Sequence, residues 1–587
     1  MNKVAYIFLI FFSTVILILT RFYGLDWGLP YPMHPDERNM VVAITQMNCQ
    51  NNQFPSCLDP KFYAYGQLPL FIGLILSRLM QWFDTKSFND YLLFENVVLA
   101  LRFLSATASV LTVFILSLML RLLEGKSRKL QIVHILLMTF VPVFIQFAHF
   151  GTTESLLQLY IVALLYISIL WLYERIKDNV FIFMTGLLLG FALATKVSSL
   201  MFTSIPLTVL LIKIIADRKI SQAGLYFLYL VKIGIICAVT FIVFSPFNII
   251  SFDSFIHSIN YESEVGLGEY KAFYTRQFEH TLPIVFQFIN IFPYALGWPF
   301  FLFSIIGFSL LPYNKHYNFL RIIFILIFVP NAIMYAKWTR FIAPVYPILM
   351  VFSVAVIVRV IILLSSYRGR LNLLAKVFTV LLIFIMILKG VAFTTIYFEP
   401  DVRFKAAVYI YEKIEKDAVV LSETANVVDI PMPNKLIATE IANLNNISPI
   451  SFNFYELHHE TNLNQDLSEI LQKVDYIFVP SRRIFFNHTC YRFKDGNPIK
   501  YQVGFFDGYT ESNCGELAKA YPQLQEYYNM LFESGKYEKI AEFSSYPRIE
   551  IFGNKLVEFN DESAEETFTV FDHPVIRIYK RKEDAVY

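Results

Sequence analysis

The chain has 587 residues, of which 56% are hydrophobic, 17% aromatic and only 16% charged, and its mean hydropathy is +0.51. These values exclude an ordinary soluble protein and indicate a polytopic membrane protein. The net charge of +2 conceals an asymmetry. Residues 1–398 carry 29 Lys and Arg against 17 Asp and Glu, whereas residues 399–587 carry 20 against 30. A basic membrane part is therefore predicted to precede an acidic soluble part.

Eleven apolar runs approach the roughly 20 residues that a helix needs to cross a bilayer. They lie at about 4–20, 98–120, 131–148, 153–173, 180–195, 199–215, 224–247, 283–311, 318–336, 341–364 and 374–397. The first run lacks a small-residue cleavage site, so we expect a retained span. The predicted fold class is mainly α: about 11 (11–13) transmembrane helices, juxtamembrane helices in the first outer loop, and a C-terminal extracytoplasmic α+β domain.

Basic clusters set the predicted orientation, because Lys and Arg favour the cytoplasmic side. Every second connection holds one: Arg121/Lys126/Arg128/Lys129, Arg175/Lys177, Lys213/Arg218/Lys219, Lys315/Arg321 and Arg368/Arg370/Lys376. With Met1 inside, eleven crossings of the cytoplasmic membrane put all five clusters in the cytoplasm. A twelfth apolar stretch, 67–83, would reverse this order if it crossed. We therefore assign it to a juxtamembrane or re-entrant helix on the outer face.

Two domains are predicted, a transmembrane catalytic domain over 1–397 and an extracytoplasmic domain over 398–587. The first includes large outer loops at 21–66 and 248–282. The second has its own secondary-structure signals, a helical stretch and two strand-like runs: 402–416, 476–480 and 575–579.

The five cysteines suit this topology. Cys49 and Cys57 share the first outer loop, Cys490 and Cys514 share the outer domain, and Cys237 lies within a span. Two disulfides are therefore permitted outside the cytoplasm, and four unpaired thiols are the alternative.

An acidic pair, Asp36 and Glu37, follows the first span between His34-Pro35 and Arg38. Charge at the edge of a bilayer is costly and is usually functional. An acid in the first turn of a helix can serve as a cap, and that explains one carboxylate. It does not explain two of them beside His34 and Arg38.

Four more charged residues map to helix ends on the same predicted outer side: Glu154, Lys196, Lys337 and Arg340. With Asp36, Glu154 forms a candidate site for proton abstraction or for a divalent cation; alternatively it is a helix-start acid. The basic residues suit an anionic phosphate, although long basic side chains also extend routinely to lipid headgroups. The sequence has no phosphate-binding loop, nucleophile elbow, zinc-protease motif or dinucleotide fingerprint. A donor carried by lipid therefore fits better than a soluble nucleotide.

At these residues the chain resembles the C-type membrane glycosyltransferases, in particular the protein O-mannosyltransferase-like group (glycosyltransferase family 39-like) that includes the aminoarabinose transferases of lipid A. The resemblance covers essentially the whole chain. Its marks are the Asp36-Glu37 pair, the run Phe62-Tyr63-Ala64-Tyr65-Gly66-Gln67-Leu68-Pro69, Glu154 after a histidine-aromatic lead, Gly190 to Lys196, Arg340 before Pro344-Val345-Tyr346-Pro347, and Asp572-His573-Pro574-Val575.

The resemblance implies transfer of one sugar, with inversion, from a polyprenyl-phosphate donor to a protein, lipid or polysaccharide acceptor at the outer face. Asp36 would be the general base, Glu37 would orient the acceptor or the loop, and Glu154 would join Asp36 around the acceptor. The one candidate cofactor is a divalent cation held by Asp36 and Glu154.

The remaining implied roles concern the donor phosphate and the acceptor. Lys196, Lys337 and Arg340 would stabilise the departing lipid phosphate. Acceptor or loop contacts would come from His34, Arg38 and Tyr65. Membrane lipids are expected partners and nucleic acid is not. The chain departs from the mannosyltransferases, which carry inserted repeat domains and a His-Pro-Pro motif where this chain has Gln67-Leu68-Pro69, and it lacks the acid-lysine pair that the aminoarabinose transferases have near that place. The acceptor therefore stays open, and a lipid-linked sugar transporter or a non-catalytic scaffold of envelope glycan assembly is the alternative.

Overall fold

The computed structural model describes residues 3–49, 54–85, 92–125, 128–216, 220–367, 370–424, 430–431, 447–454, 457, 461–494, 496–500 and 514–582. Helices dominate the first 398 residues: α1 Lys3–Phe22, α2 Pro35–Gln46, α3 Gln67–Thr85, α4 Phe94–Glu124, α5 Arg128–Thr139, α6 Pro142–His149, α7 Glu154–Leu172, α8 Asp178–Thr195, α9 Ser204–Ala216, α10 Ala223–Phe244, α11 Phe247–Ile250, α12 Phe252–Leu267, α13 Trp298–Leu310, α14 Lys315–Ile333, α15 Val345–Ser365 and α16 Arg370–Phe398.

Both helices and strands follow. The helices are α17 Val402–Lys413, α18 Thr461–Lys473, α19 Arg483–His488, α20 Cys514–Ala520 and α21 Pro522–Phe532. The strands are β1 Val419–Thr424, β2 Ser448–Asn453, β3 Tyr476–Val479, β4 Tyr491–Lys494, β5 Asn497–Lys500, β6 Tyr537–Phe543, β7 Arg548–Ile551, β8 Asn554–Glu558 and β9 Ile576–Arg581.

The membrane spans agree with the apolar runs. Among the described residues, ten helical stretches are long and apolar enough to cross a membrane, and the bent pair α5 and α6 makes an eleventh. This confirms the mainly α, polytopic fold class. The predicted spans at 199–215 and 283–311 are less regular than expected, because 3-10 and π-helical segments begin them: Val197–Thr203, Gln287–Ile291 and Pro293–Gly297. α3 forms over the stretch assigned to a juxtamembrane helix and is not among the ten.

A bend of 61° separates α5 from α6. Pro142 is the first residue of α6, and its ring and missing N–H prevent α5 from continuing. At this break α16 comes very close, since a Cβ on Gly390 would lie 1.6 Å from the carbonyl oxygen of Phe140. The bend thus makes room for α16 and leads through a short loop to Glu154, the first residue of α7.

A five-stranded sheet forms in the C-terminal part, with the strand order β2-β1-β3-β9-β6. β1 runs parallel to β2 and β3, and β9 runs antiparallel to β3 and β6. The strands predicted at 476–480 and 575–579 are β3 and β9, which lie side by side in the middle, and the predicted helix at 402–416 is α17. The α+β character of this part is therefore confirmed.

The C-terminal part does not pack as an isolated unit. Residues 561–573, which we call the docking segment, precede β9. Four of its apolar side chains join the hydrophobic core of the membrane helices: Ala564, Phe568, Val570 and Phe571. The predicted boundary at 397/398 therefore separates two stretches of sequence that share a core.

Cys49 and Cys57 form a disulfide in the first outer loop. Cys490 is also disulfide-bonded, while the side chain of its predicted partner, Cys514, lies outside the described residues. Cys237 is a free, buried thiol of α10.

Candidate active site

α2 presents the acidic pair, and its first turn explains how. His34 caps the helix: its Nδ1 accepts hydrogen bonds from the backbone N–H groups of Asp36 at 3.2 Å and Glu37 at 3.5 Å. Pro35 occupies the first helical position, where its missing N–H costs nothing. Burial lowers the pKa of His34 although both carboxylates oppose this shift. A neutral ring that accepts at Nδ1 carries its proton on Nε2.

Asp36 faces Arg340. The guanidinium Nη1 donates to Oδ2 of Asp36, and the Asp36 side chain is 16% exposed. Arg340 lies in the 3-10 turn Thr339–Ile342, just before α15. Burial disfavours the charge of Asp36, but Arg340, Lys196 and a hydrogen bond with Tyr65 outweigh it and hold the pKa of Asp36 below its usual value. Asp36 is therefore ionised, and Arg340 is its main partner.

A second ion pair lies beside the first. Lys196, the residue after α8, places Nζ 3.5 Å from Oε1 of Glu154, and the Glu154 side chain is only 4% exposed. The same Nζ lies 4.9 Å from the ring centroid of Tyr65. The charges of Asp36 and Glu154 both act on Arg340. The structure thus brings together five of the predicted site residues, which we call the Asp36 cluster: Asp36, Tyr65, Glu154, Lys196 and Arg340.

Glu37 has a different environment from its neighbour. Its carboxylate accepts from Nη2 and Nε of Arg102 at 2.7 and 2.8 Å and from the backbone N–H of Gly151 at 2.7 Å. Both side chains of the pair are buried, at 2% and 0% exposure. Arg102 also donates to the carbonyl oxygens of Leu25 and Trp27. Glu37 therefore ties α2 to α4 and to the loop before α7, and it lies outside the Asp36 cluster.

Lys337 and Arg38 also lie apart from Asp36. Lys337 is buried, and its Nζ donates to the carbonyl oxygen of Tyr335 at 3.0 Å. Burial lowers the pKa of Lys337 to about 8. Arg38 is half-buried on α2, where its backbone N–H donates to the carbonyl oxygen of His34. The structure therefore does not bring Lys337 to Arg340 and Lys196, the other two residues expected at the donor phosphate.

The donor set does not fit a divalent cation. Among the described residues, no group of three or more His, Cys, Asp or Glu could hold a metal ion. The two carboxylates predicted as ligands are each paired with a basic side chain, Asp36 with Arg340 and Glu154 with Lys196.

Gly66 explains how Tyr65 reaches Lys196. The backbone N–H of Gly66 donates to the carbonyl oxygen of Thr195 at 2.9 Å, and a Cβ on Gly66 would lie 2.0 Å from the carbonyl oxygen of Ala194. The next residue, Gln67, bonds to Asn248 and to the backbone N–H of Phe247. The run quoted above as a mark of the family therefore attaches the first outer loop to the end of α8 and to α11.

Sequence reasoning missed the contacts of the docking segment. Glu565 accepts from the backbone N–H of Thr339 at 3.0 Å and from its hydroxyl at 2.9 Å, directly beside Arg340. The ring of Phe571 lies 4.3 Å from that of His34. Thr339 and Glu565 are 226 residues apart, so no local pattern could have paired them. The segment thus contacts both residues that flank the ion pair of Asp36.

Three buried residues anchor the docking segment itself. His573 lies between Asp572, 2.5 Å from Nδ1, and Asp561, 3.1 Å from Nε2, and all three side chains are fully buried. Asp572 also accepts from the hydroxyl of Tyr397 at 2.5 Å and from Gln146 at 3.1 Å. The signal for this site was the Asp572-His573 mark, which was quoted for the resemblance without a structural role.

Glu262 is a further acid that sequence reasoning missed. It is an exposed residue of α12, and its charge acts on Lys196, Arg340 and Asp36. It lies within the predicted second outer loop, so both large outer loops contribute charge to the site.

Neither a protein-family model nor a curated protein sequence matches this chain. Three solved structures are similar in fold at low identity. They are the Archaeoglobus fulgidus oligosaccharyltransferase in the apo form (12% identity, 99% of this chain, 89% of that chain, TM-score 0.47), ArnT from Cupriavidus metallidurans bound to undecaprenyl phosphate (12%, 81%, 93%, 0.43), and the S. cerevisiae protein O-mannosyltransferase Pmt1-Pmt2 complex bound to the sugar donor (18%, 43%, 35%, 0.32). Protein O-mannosyltransferase is a group that the sequence resembles. At these TM-scores the likeness carries no argument about the activity of this chain.

Proposed function

We propose that this protein is a membrane glycosyltransferase that transfers a sugar, with inversion, from a polyprenyl-phosphate donor to a hydroxyl of an acceptor at the outer face of the cytoplasmic membrane. The acceptor is a protein, a lipid or a polysaccharide. One observation carries the proposal: Asp36, Arg340 and Lys196 lie together at the ends of membrane helices. An isolated acid there would suit a helix cap, and an isolated base would suit a lipid headgroup. Together they supply a proton acceptor and a phosphate site.

In the proposed reaction, Asp36 takes the proton of the acceptor hydroxyl while that oxygen bonds to the anomeric carbon of the donor. The bond between that carbon and the phosphate oxygen breaks, and its electron pair leaves with the polyprenyl phosphate. Attack opposite the leaving group inverts the anomeric centre. General-base assistance of this kind contributes about 10²–10⁴-fold. Arg340 and Lys196 stabilise the negative charge that develops on the phosphate.

The contact between Asp36 and Arg340 couples donor binding to the base. Without a donor, Arg340 occupies the carboxylate and lowers the pKa of Asp36, so Asp36 is a weak proton acceptor. A donor phosphate competes for the same guanidinium. As Arg340 turns to the phosphate, the pKa of Asp36 rises and Asp36 becomes the stronger base. The donor therefore prepares the site for the acceptor.

The first test is transfer of radiolabelled sugar from a panel of polyprenyl-phosphate monosaccharides, with native membrane extract as the acceptor source. Wild type, Asp36→Asn and Asp253→Asn are compared in lipid. Asp36→Asn removes the base, and we expect it to lower the transfer rate by about 10² or more. Asp253→Asn changes an exposed acid of α12 and should keep the wild-type rate.

Two outcomes would contradict the proposal. Transfer by Asp36→Asn at the wild-type rate would exclude Asp36 as the base. If the wild-type protein binds a donor and never consumes it, a lipid-linked sugar transporter or a non-catalytic scaffold becomes the better interpretation.

A further inference from the structure

A cavity of about 230 Å³ opens in the C-terminal part of the chain, apart from the Asp36 cluster. One wall consists of Arg482, which precedes α19, and of residues of α19. The hairpin of β4 and β5 forms a second wall with Arg492 and Lys494, and the docking segment closes the third with Glu562. No residue that lines the cavity belongs to the Asp36 cluster.

The walls concentrate positive charge. Arg482 and Arg492 both lie against the ring of Phe486, with their guanidinium carbons 4.6 and 3.9 Å from its centroid. Lys494 adds a third cation. Glu562 is the one acid among the described lining residues, and Nη2 of Arg577 donates to both of its carboxylate oxygens at 2.9 Å. Since the aromatic ring attracts each guanidinium without neutralising it, the cavity attracts an anion.

Arg482 also has unused hydrogen-bonding capacity. Its side chain is buried, and its Nε and Nη2 donate to neutral oxygens of Thr569 and Ala564. Within the described residues, Nη1 of Arg482 has no hydrogen-bond partner. A buried N–H group of a charged side chain is costly to leave unpaired. Burial lowers the pKa of Arg482 even though Glu562 and other nearby acids oppose this shift. An anionic ligand would supply the missing acceptor.

We propose that this cavity binds an anionic monosaccharide unit, a hexose that carries a phosphate or a carboxylate. The anionic group would accept hydrogen bonds from Nη1 of Arg482 and from Lys494. The rings of Phe485 and Phe493, which also line the cavity, would pack against the C–H face of the sugar. Its volume is below the roughly 300–1,000 Å³ of pockets that hold a drug-sized ligand, so it suits a single sugar unit.

The test is saturation-transfer NMR on the full chain in lipid nanodiscs, with glucose 6-phosphate, glucuronate, glucose and inorganic phosphate as probes. We expect glucose 6-phosphate and glucuronate to compete with each other and to bind about tenfold more tightly than glucose. Lys494→Glu should weaken both anionic sugars about fivefold. Lys500→Glu makes the same charge change on an exposed residue of the same hairpin outside the cavity, and it should stay within about twofold of wild type.

Arg482→Gln should weaken the anionic sugars about tenfold. Because Arg482 is buried, that variant needs a thermal-unfolding control, and the exposed Lys494 decides the matter if it does not fold. Dependence on Lys494 distinguishes this cavity from the Asp36 cluster, which binds phosphate under the proposed function. Equal affinity for glucose, unchanged binding by Lys494→Glu, or inorganic phosphate as tight as glucose 6-phosphate would each overturn the inference. The result does not depend on whether the protein transfers sugar.

Discussion

Asp36 and Glu37 are adjacent in sequence and opposite in environment. Successive residues of an α-helix point about 100° apart, so the two carboxylates face different neighbours. Asp36 is 16% exposed in a cluster of polar groups, whereas Glu37 is 2% exposed against Arg102. One acidic motif therefore supplies a reactive group and, beside it, the anchor that fixes the helix carrying that group.

Isosteric substitutions should separate these two roles. Glu37→Gln leaves Arg102 buried without its carboxylate, and we expect the free energy of unfolding to fall by about 3 kcal/mol. Asp36→Asn should change the unfolding midpoint little, because Asp36 is partly open to solvent. Thermal unfolding in nanodiscs measures both. A stable Glu37→Gln protein would show that the pair with Arg102 does not anchor α2.

Gly66→Ala tests the close contact with the end of α8. The added methyl group would lie 2.0 Å from the carbonyl oxygen of Ala194, so the loop must move away and take Tyr65 with it. We expect a loss of about 1–3 kcal/mol of stability and a lower transfer rate. Gly224→Ala is the matched control, since nothing lies within 4 Å of a Cβ there. Equal behaviour of the two variants would remove the proposed role of the contact.

At this scale, sequence reasoning found residues by type and position but not by direction. Asp36, Glu154, Lys196 and Arg340 stand out because they are charged residues at the ends of apolar runs, and the structure brings them together. Lys337 has the same signal and points elsewhere. Its direction depends on the short segment before the turn that holds Arg340, and hydropathy does not describe such a segment.

The element that carries Arg340 is a single 3-10 turn, which is too short to fix a side chain without help. Two groups from outside the turn bond to Thr339. The hydroxyl of Tyr346 donates to its carbonyl oxygen at 2.9 Å, and Glu565 accepts from its N–H and hydroxyl. The position of Arg340 therefore depends on α15 and on the docking segment.

Glu565→Ala should lower the rate of transfer at saturating donor by about 10–10²-fold, because small displacements of a positioned group are costly. Glu565→Gln keeps one acceptor oxygen and should lose less. The apparent affinity for the donor should weaken in the same order, since Arg340 contacts the donor phosphate in the proposed reaction. Glu538→Gln, on an exposed residue of β6, is the control. Alanine and glutamine variants with wild-type kinetics would exclude a positioning role for Glu565.

The elements themselves were largely predictable, because hydropathy is a local property. All eleven apolar runs correspond to spans or to the bent pair. The π-helical segments at Gln287–Ile291 and Pro293–Gly297 were not predictable, since a shift of hydrogen-bond register leaves an apolar run apolar. The insertion of β9 between β3 and β6 depends on pairing across the chain, which one sequence does not reveal.

At the scale of the whole molecule, the buried group around His573 joins the C-terminal part to the membrane helices. Burial disfavours the charge of His573, but Asp572 and Asp561 outweigh it and raise its pKa to about 10. Burial likewise disfavours ionisation of Asp572, and the charge of His573 lowers its pKa nonetheless. The group therefore holds a charged histidine between carboxylates at neutral pH.

The stability of this junction should depend on pH with a definite sign. The pKa of His573 is raised in the folded state, so its contribution is complete below its ordinary value of 6.5 and is lost as the pH rises toward 10. The pKa of Asp572 is lowered, so its contribution is lost only in acid. The difference in unfolding free energy between wild type and His573→Gln should therefore shrink from pH 6.5 to pH 10.

Thermal unfolding of both proteins across that range measures the difference, and His257→Gln, an exposed histidine of α12, serves as the control. A difference that stays constant or grows with pH would contradict the assignment of charge to His573.

The attachment of Glu565 to Thr339 also has a consequence for how the protein is made. The arginine that would hold the donor phosphate is synthesised long before the glutamate that steadies its turn. While the chain is still emerging, the membrane helices can insert and the base can lie in place, yet Arg340 lacks this support. Maturation of the site would then await the docking of residues made near the end of translation, and a partly synthesised chain would be a poor catalyst.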